Sequence, residues 1–132
     1  MMSESVSRIS LQIRFKDLDS VGHVNNAIHL TYFEMGRVDY ITRFFGNFDP
    51  SNAGFVIVHS EVDYKKPIYL NSRVEIVTKI TGVGTTSFTF SHMLEDLDAP
   101  RFPFAEGNTV GVLLDGSGKK MKVPEEFRKL IS

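Results

Sequence analysis

The sequence predicts an α+β fold, and three observations predict it. One stretch, residues 26–45, carries the strongest helical patterning in the chain. One alternating segment precedes it, and four segments rich in β-branched and aromatic residues follow it. The connections between those later segments are short turns, which suit antiparallel pairing. A strand, a long helix and four further strands imply a sheet packed on one helix.

Residues 6–15 alternate, with Ile9, Leu11, Ile13 and Phe15 on one side and Arg8, Ser10, Gln12 and Arg14 on the other. That period of two predicts a strand with one buried face. Residues 16–25 form a polar turn holding Asp17, Asp19, Gly22, His23 and Asn25. Asn25 or Asn26 suits the N-cap of the helix that follows. On that helix, Ala27, Leu30, Phe33, Val38, Ile41, Phe44 and Phe45 are expected in one broad apolar stripe. Glu34 and Arg37 fall within it, and their spacing lets them pair. Tyr32, Asp39 and Arg43 are expected on the opposite side. Gly46 suits the helix stop, and residues 47–54 read as a loop around Pro50.

The four later strands are expected at 55–64, 73–81, 85–95 and 104–114. Pro67 ends the first of them or forces a bulge. Gly82-Val83-Gly84 joins the second and third, where Val74, Ile76, Thr78 and Ile80 face Phe88, Phe90, His92 and Leu94 across the pair. Residues 96–103 are a turn with two prolines, and residues 115–118 turn the chain again. Lys119 to Val123 reads as a short extension. Pro124 before Glu125 and Glu126 announces a short terminal helix.

The chain of 132 residues suits a single domain, 1–132, with a modest core. A net charge of -1 argues against a nucleic-acid binder that works by neutralising phosphates. With no Cys there is no disulfide, thiol nucleophile or Cys-type zinc site. The four histidines lack ligand spacing, so no metal and no cofactor is expected. His29, His59 and His92 read as core or surface residues. No apolar run is long enough to span a bilayer, residues 1–10 are polar without a signal-like core, and a cytoplasmic protein is expected.

The chemistry concentrates at the polar turn. Asp19 and His23 lie just before a helix N-terminus, where backbone N–H groups lack helical acceptors and the helix dipole favours negative charge. Such donors can hold a developing oxyanion. Asp19 alone would equally serve as a turn former.

From Phe15 the chain reads F-K-D-L-D-S-V-G-H-V-N-N-A-I-H-L-T-Y-F-E-M-G-R, with V-D-Y-K-K-P at 62–67 and T-S-F at 86–88. This resembles the acyl-CoA thioesterases of the 4-hydroxybenzoyl-CoA thioesterase family, over residues 9–114. The resemblance implies the hotdog fold, an antiparallel sheet of about five strands wrapped around one long central helix. It also implies hydrolysis of an acyl thioester carried by CoA or by acyl-carrier protein. Asp19 matches the family's catalytic Asp and would act as general base or nucleophile. Asn26 stands where the family uses a backbone N–H to polarise the carbonyl. His23 matches a functional His in the related plant acyl-carrier-protein thioesterases, although Val21 replaces the Asn those enzymes place before it. Glu34 is the rival carboxylate, since another hotdog group uses a Glu on the helix.

Relatives often set Arg or Lys just before S-F to meet CoA phosphates, and residues 82–86 contain neither. Lys65, Lys66, Lys79, Lys119, Lys120 and Lys122 are the possible replacements. Tyr64 and Pro67 are expected to shape a strand end beside the pocket, and Phe33, Val58, Phe88 and Phe90 to line it or to fill the core. One helix covers only part of such a sheet, so a homodimer or homotetramer is expected. A hotdog hydratase or dehydratase, using Asp19 with His23, is the rival enzyme. A non-catalytic acyl-thioester binding module is the rival outside enzymes.

Overall fold

The computed structural model describes residues 5–45 and 54–131. The elements in chain order are β1 (Ser7–Leu11), α1 (Ile28–Phe45), β2 (Gly54–Tyr64), β3 (Val74–Val83), β4 (Ser87–Asp96), β5 (Ala105–Leu114) and α2 (Glu125–Arg128). The five strands make one antiparallel sheet in the order β1-β3-β4-β5-β2. Helix α1 lies on one face of it, as the hotdog arrangement requires. The expected stop at Gly46 and most of the loop around Pro50 lie outside the described residues.

Alternation holds the sheet to the helix. Val74, Ile76, Thr78 and Ile80 of β3 and Phe88, Phe90, His92 and Leu94 of β4 all turn to the buried face. The first core cluster gathers Phe33, Ile76, Leu94 and Phe104 around the front of α1. A second gathers Tyr40, Ile41, Phe88, Phe90 and Phe127 around its rear. The helix can approach closely because residue 36 is Gly, and a Cβ there would collide with the Thr78 and Ile76 side chains.

Several expectations need correction. Strand β1 stops at Leu11, and residues 15–17 wind into a 3-10 turn that leaves Phe15 81% exposed. Asp17 has pulled the chain out of strand geometry there, by accepting hydrogen bonds from the Arg14 backbone and guanidinium. The buried side of α1 consists of His29, Tyr32, Phe33, Gly36, Arg37, Tyr40 and Ile41. Tyr32 therefore lies inside, while Ala27, Leu30 and Val38 lie outside. Tyr32 takes an inner position because its hydroxyl donates to Asp17 there.

Glu34 is exposed and makes no ion pair with Arg37 among the described residues. Arg37 is buried and donates instead to Thr109 Oγ1 at 3.3 Å. Phe33, Phe88 and Phe90 are core, and Val58 is 60% exposed at a bulge in β2. Strand β3 runs on through Gly82-Val83, and Gly84 N–H closes the turn onto Ser87 O.

Candidate functional site

The loop between β1 and α1 is shaped by its own polar groups. Asp19 N–H donates to His23 O at 2.7 Å, and Gly22 N–H donates to Asp19 O at 3.1 Å. Asp19 Oδ1 accepts from the Val21 and His23 amides at 3.0 and 3.2 Å. Gly22 closes the turn with φ +83°, a conformation that glycine adopts without strain. Asp19 is thus both turn former and exposed carboxylate, with Oδ2 free of partners among the described residues. Beneath the loop Asp17 is buried, and it accepts from the Tyr32 hydroxyl as well as from Arg14. Burial alone would raise the Asp17 pKa, but these donors hold it below the ordinary carboxylate value.

The helix start is equally constrained. Asn25 Oδ1 takes the Ala27 N–H, and Asn25 O takes the Ile28 N–H, so Asn25 rather than Asn26 does the capping. The Asn26 N–H has no acceptor among the described residues. Its carbonyl is fixed by the Tyr64 hydroxyl at 2.9 Å. The first turn of α1 contains no acidic side chain, so its positive end is not internally neutralised.

A cavity of about 320 Å³ opens between these segments and the end of β2. Asp19, His23, Asn26, His29, Tyr64, Lys65, Lys66 and Pro67 all border it, with Val24 at its base. The three residues singled out in the sequence, Asp19, His23 and Asn26, are therefore brought together. Glu34 does not border the cavity, nor do Phe33, Val58, Phe88 or Phe90.

The sequence reading missed His29 as a site residue. It is one turn into the helix and 3% exposed, with Nδ1 3.3 Å from Asn25 O and its ring edge-on to Tyr64. Burial lowers its pKa, which favours the neutral imidazole. A position one turn from the cap, on the side facing the loop, was the available signal. His23 stacks edge-on against Tyr69 with ring centroids 4.9 Å apart. No group of three His, Asp, Glu or Cys suited to a metal occurs among the described residues. No helix there is long and apolar enough to cross a membrane.

Residues 13–131 match the model of the thioesterase-like superfamily. The chain belongs to that superfamily. Membership accounts for the helix-in-sheet architecture. A Thermus thermophilus thioesterase solved with coenzyme A and Zn is 34% identical, with a TM-score of 0.77 over 92% of this chain and 94% of that one. A 1,4-dihydroxy-2-naphthoyl-CoA thioesterase from Synechocystis, 16% identical with a TM-score of 0.80 over 96% of this chain and 95% of that one, shares the fold. The acyl-acyl carrier protein thioesterase ATL3 of Arabidopsis thaliana is 25% identical over 91% of this chain. The thioesterase-like chain spans only 64% of that plant protein's length.

Proposed function

We propose that this thioesterase-like protein hydrolyses an acyl thioester to a free acid and a thiol, with Asp19 and the Asn26 amide as its working groups. One observation carries the reading. Among the described residues, a carboxylate oxygen without a protein partner and a backbone N–H without an acceptor belong to residues bordering one cavity at a helix N-terminus. The thioester carbonyl oxygen accepts from the Asn26 N–H, aided by the dipole of α1. Asp19 takes a proton from water as the water oxygen bonds to the carbonyl carbon, or attacks that carbon directly. Collapse of the tetrahedral species breaks the C–S bond. The thiolate leaves without an acid because its own pKa is low. In the direct-attack route, water then cleaves the mixed anhydride and restores Asp19. His23, at the same cavity, orients the water.

The proposal takes a CoA thioester as substrate. The solved thioesterase that holds coenzyme A supports that choice, at 34% identity. It takes a dimer, or a tetramer built from dimers, as the working cytoplasmic form. Strand β2 pairs only with β5 along its described length, which leaves its other edge open. Leu30, Met35 and Val38 of α1 are between 40% and 61% exposed, and a second copy would cover them.

The deciding experiment is thiol release from a panel of short, long and aromatic acyl-CoA esters by the protein and by Asp19→Asn. The expected result is turnover by the protein and its loss, with folding unchanged, in the variant. Undiminished hydrolysis by Asp19→Asn, or enoyl-CoA hydration without thiol release, would overturn the proposal.

A further inference from the structure

The direct-attack route leaves one proton without a named acceptor. Once Asp19 is acylated, its carboxylate is part of the mixed anhydride. It cannot take the proton of the water that cleaves that anhydride. Another group at the cavity must offer a lone pair.

Most of the polar residues bordering the cavity are unsuited to this. Lys65 and Lys66 end in ammonium groups, which donate and do not accept, and Lys66 Nζ already meets Asp96 Oδ2 at 2.7 Å. The Tyr64 hydroxyl is spent as a donor on the Asn26 carbonyl at 2.9 Å. The His23 ring lies edge-on to Tyr69, and neither of its nitrogens has a hydrogen-bond partner among the described residues. Nothing there fixes which His23 nitrogen carries the proton.

His29 differs. Its Nδ1 lies 3.3 Å from Asn25 O, and a carbonyl only accepts, so Nδ1 bears the hydrogen. Nε2 is then the bare nitrogen. The ring is held between Tyr64, edge-on at 4.8 Å, and Tyr32, tilted at 6.3 Å. The Tyr32 hydroxyl hydrogen goes to Asp17 Oδ2 and so is not offered to Nε2. Among the described residues, the fully enclosed side-chain nitrogens and oxygens without a partner are Tyr40 OH, Thr78 Oγ1 and His92 Nδ1. His29 Nε2 is not one of them, and no described residue donates to it. Its lone pair therefore keeps access to the space that His29 borders, the cavity of Asp19. Burial, which lowers the His29 pKa, keeps that lone pair free of a proton at neutral pH.

We propose that His29 Nε2 is the base for the second half of the reaction, taking the proton from the water that releases the acyl group from Asp19. The inference rests on the thioesterase reading and selects its direct-attack route. In the first half, Asp19 Oδ2 bonds to the thioester carbon and the C–S bond breaks, the thiolate leaving with its electron pair. In the second half, the water oxygen bonds to that carbon as one of its protons passes to His29 Nε2. The bond from the carbon to the Asp19 oxygen then breaks, and the carboxylate leaves with its electron pair. The acid departs, and the His29 imidazolium returns its proton to the thiolate or to solvent.

Two measurements test it. His29→Asn keeps an amide N–H for the Asn25 carbonyl and removes the Nε2 lone pair. On rapid mixing with an acyl-CoA ester that the parent hydrolyses, the variant should release about one thiol per site in a burst. It should then turn over about a hundredfold more slowly than the parent. Equal steady-state rates overturn the inference. So does loss of the burst together with the steady state, because His29 then acts before the C–S bond breaks or only holds the site together. Nitrogen-15 NMR of the histidine rings in the parent needs neither turnover nor a variant. His29, assigned through its contact with Tyr64, should carry its proton on Nδ1 with Nε2 bare at neutral pH. A proton on Nε2 overturns the inference even where hydrolysis is robust. Thiol release from none of the esters sinks the thioesterase reading itself, and the inference with it.

Discussion

The Tyr32 hydroxyl donates to Asp17 Oδ2 at 2.8 Å, joining the floor of the Asp19 loop to the buried side of α1. Asp17 is also held by Arg14, and its carbonyl accepts the Asn25 N–H at 2.9 Å. The loop, the helix cap and the buried side of α1 are thus fixed to one another through Asp17, by its carbonyl and its carboxylate.

Tyr32→Phe should therefore destabilise the fold by about 1.5–3 kcal/mol, the range for a hydrogen bond to a charged group. Urea unfolding measures the loss. Turnover should fall with it, because the Asp19 turn loses its footing. A variant that unfolds earlier yet keeps full kcat would show that Asp17 is not what positions the loop.

The same carboxylate gives an acid-side prediction. Its folded pKa lies below the ordinary value, because hydrogen bonds from Arg14 and Tyr32 outweigh the opposing effect of burial. Its stabilising contribution is then complete above an unfolded pKa of about 3.9 and is lost as pH falls through the lower folded value. Asp17→Asn should be less stable than the parent at neutral pH, and the gap should narrow below about pH 4.

His92 predicts a different window. It is buried, its Nε2 sits 2.8 Å from Thr109 Oγ1, and its ring stacks on Phe33. Burial, and then the nearby Arg37 charge, pull its pKa down to about 3. An unfolded histidine titrates near about 6.5, so between these values the unfolded chain binds more protons. Stability should fall as pH drops from about 6.5, by up to about 1.4 kcal/mol per pH unit from this group. His92→Gln should flatten that slope in chemical unfolding followed at several pH values. An unchanged slope would mean that the ring is already charged in the folded protein.

Tyr64→Phe isolates the Asn26 peptide. The lost hydroxyl leaves the Asn26 carbonyl with the His29 N–H at 3.3 Å as its remaining donor among the described residues, and loosens the helix start next to the Asn26 N–H. The expected result is a fall of about tenfold in kcat with little change in stability, since Tyr64 is 46% exposed. Single-turnover kinetics on one thioester would check it.

Gly107→Ala probes packing between β5, β2 and the helix. A Cβ at this position would meet the Glu61 carbonyl oxygen and the Phe33 ring. Backbone cannot swing aside as a flexible side chain can, so a cost of about 1–3 kcal/mol is expected in thermal or urea unfolding.

The sheet was legible because β3 and β4 alternate without interruption, and a period of two leaves only one way to face the helix. The α1 stripe differs from its apolar pattern at Tyr32, Leu30 and Val38, because a buried hydroxyl with a partner outcompetes an aliphatic side chain there. Tyr32 lies inside for a hydrogen bond to Asp17 that forms only when the loop meets the helix, and Arg37, expected within the stripe, is buried on Thr109 of β5 rather than on Glu34. Leu30 and Val38 stayed outside a single chain. Asp19, His23 and Asn26 could be found together because all three lie within one short motif. His29 was passed over because its place beside Tyr64 depends on the return of β2 to the helix start.

Val24 N–H donates to Ile68 O at 2.8 Å, so the strip bearing His23 is stitched to the strip bearing Lys65 and Pro67. The two sides of the cleft are thereby coupled, and their separation as a hinge would have to break that bond. Reactant must slide in lengthwise past side chains that swing on their own bonds, and the pace of capture should follow viscosity and diffusion rather than the opening of a gate.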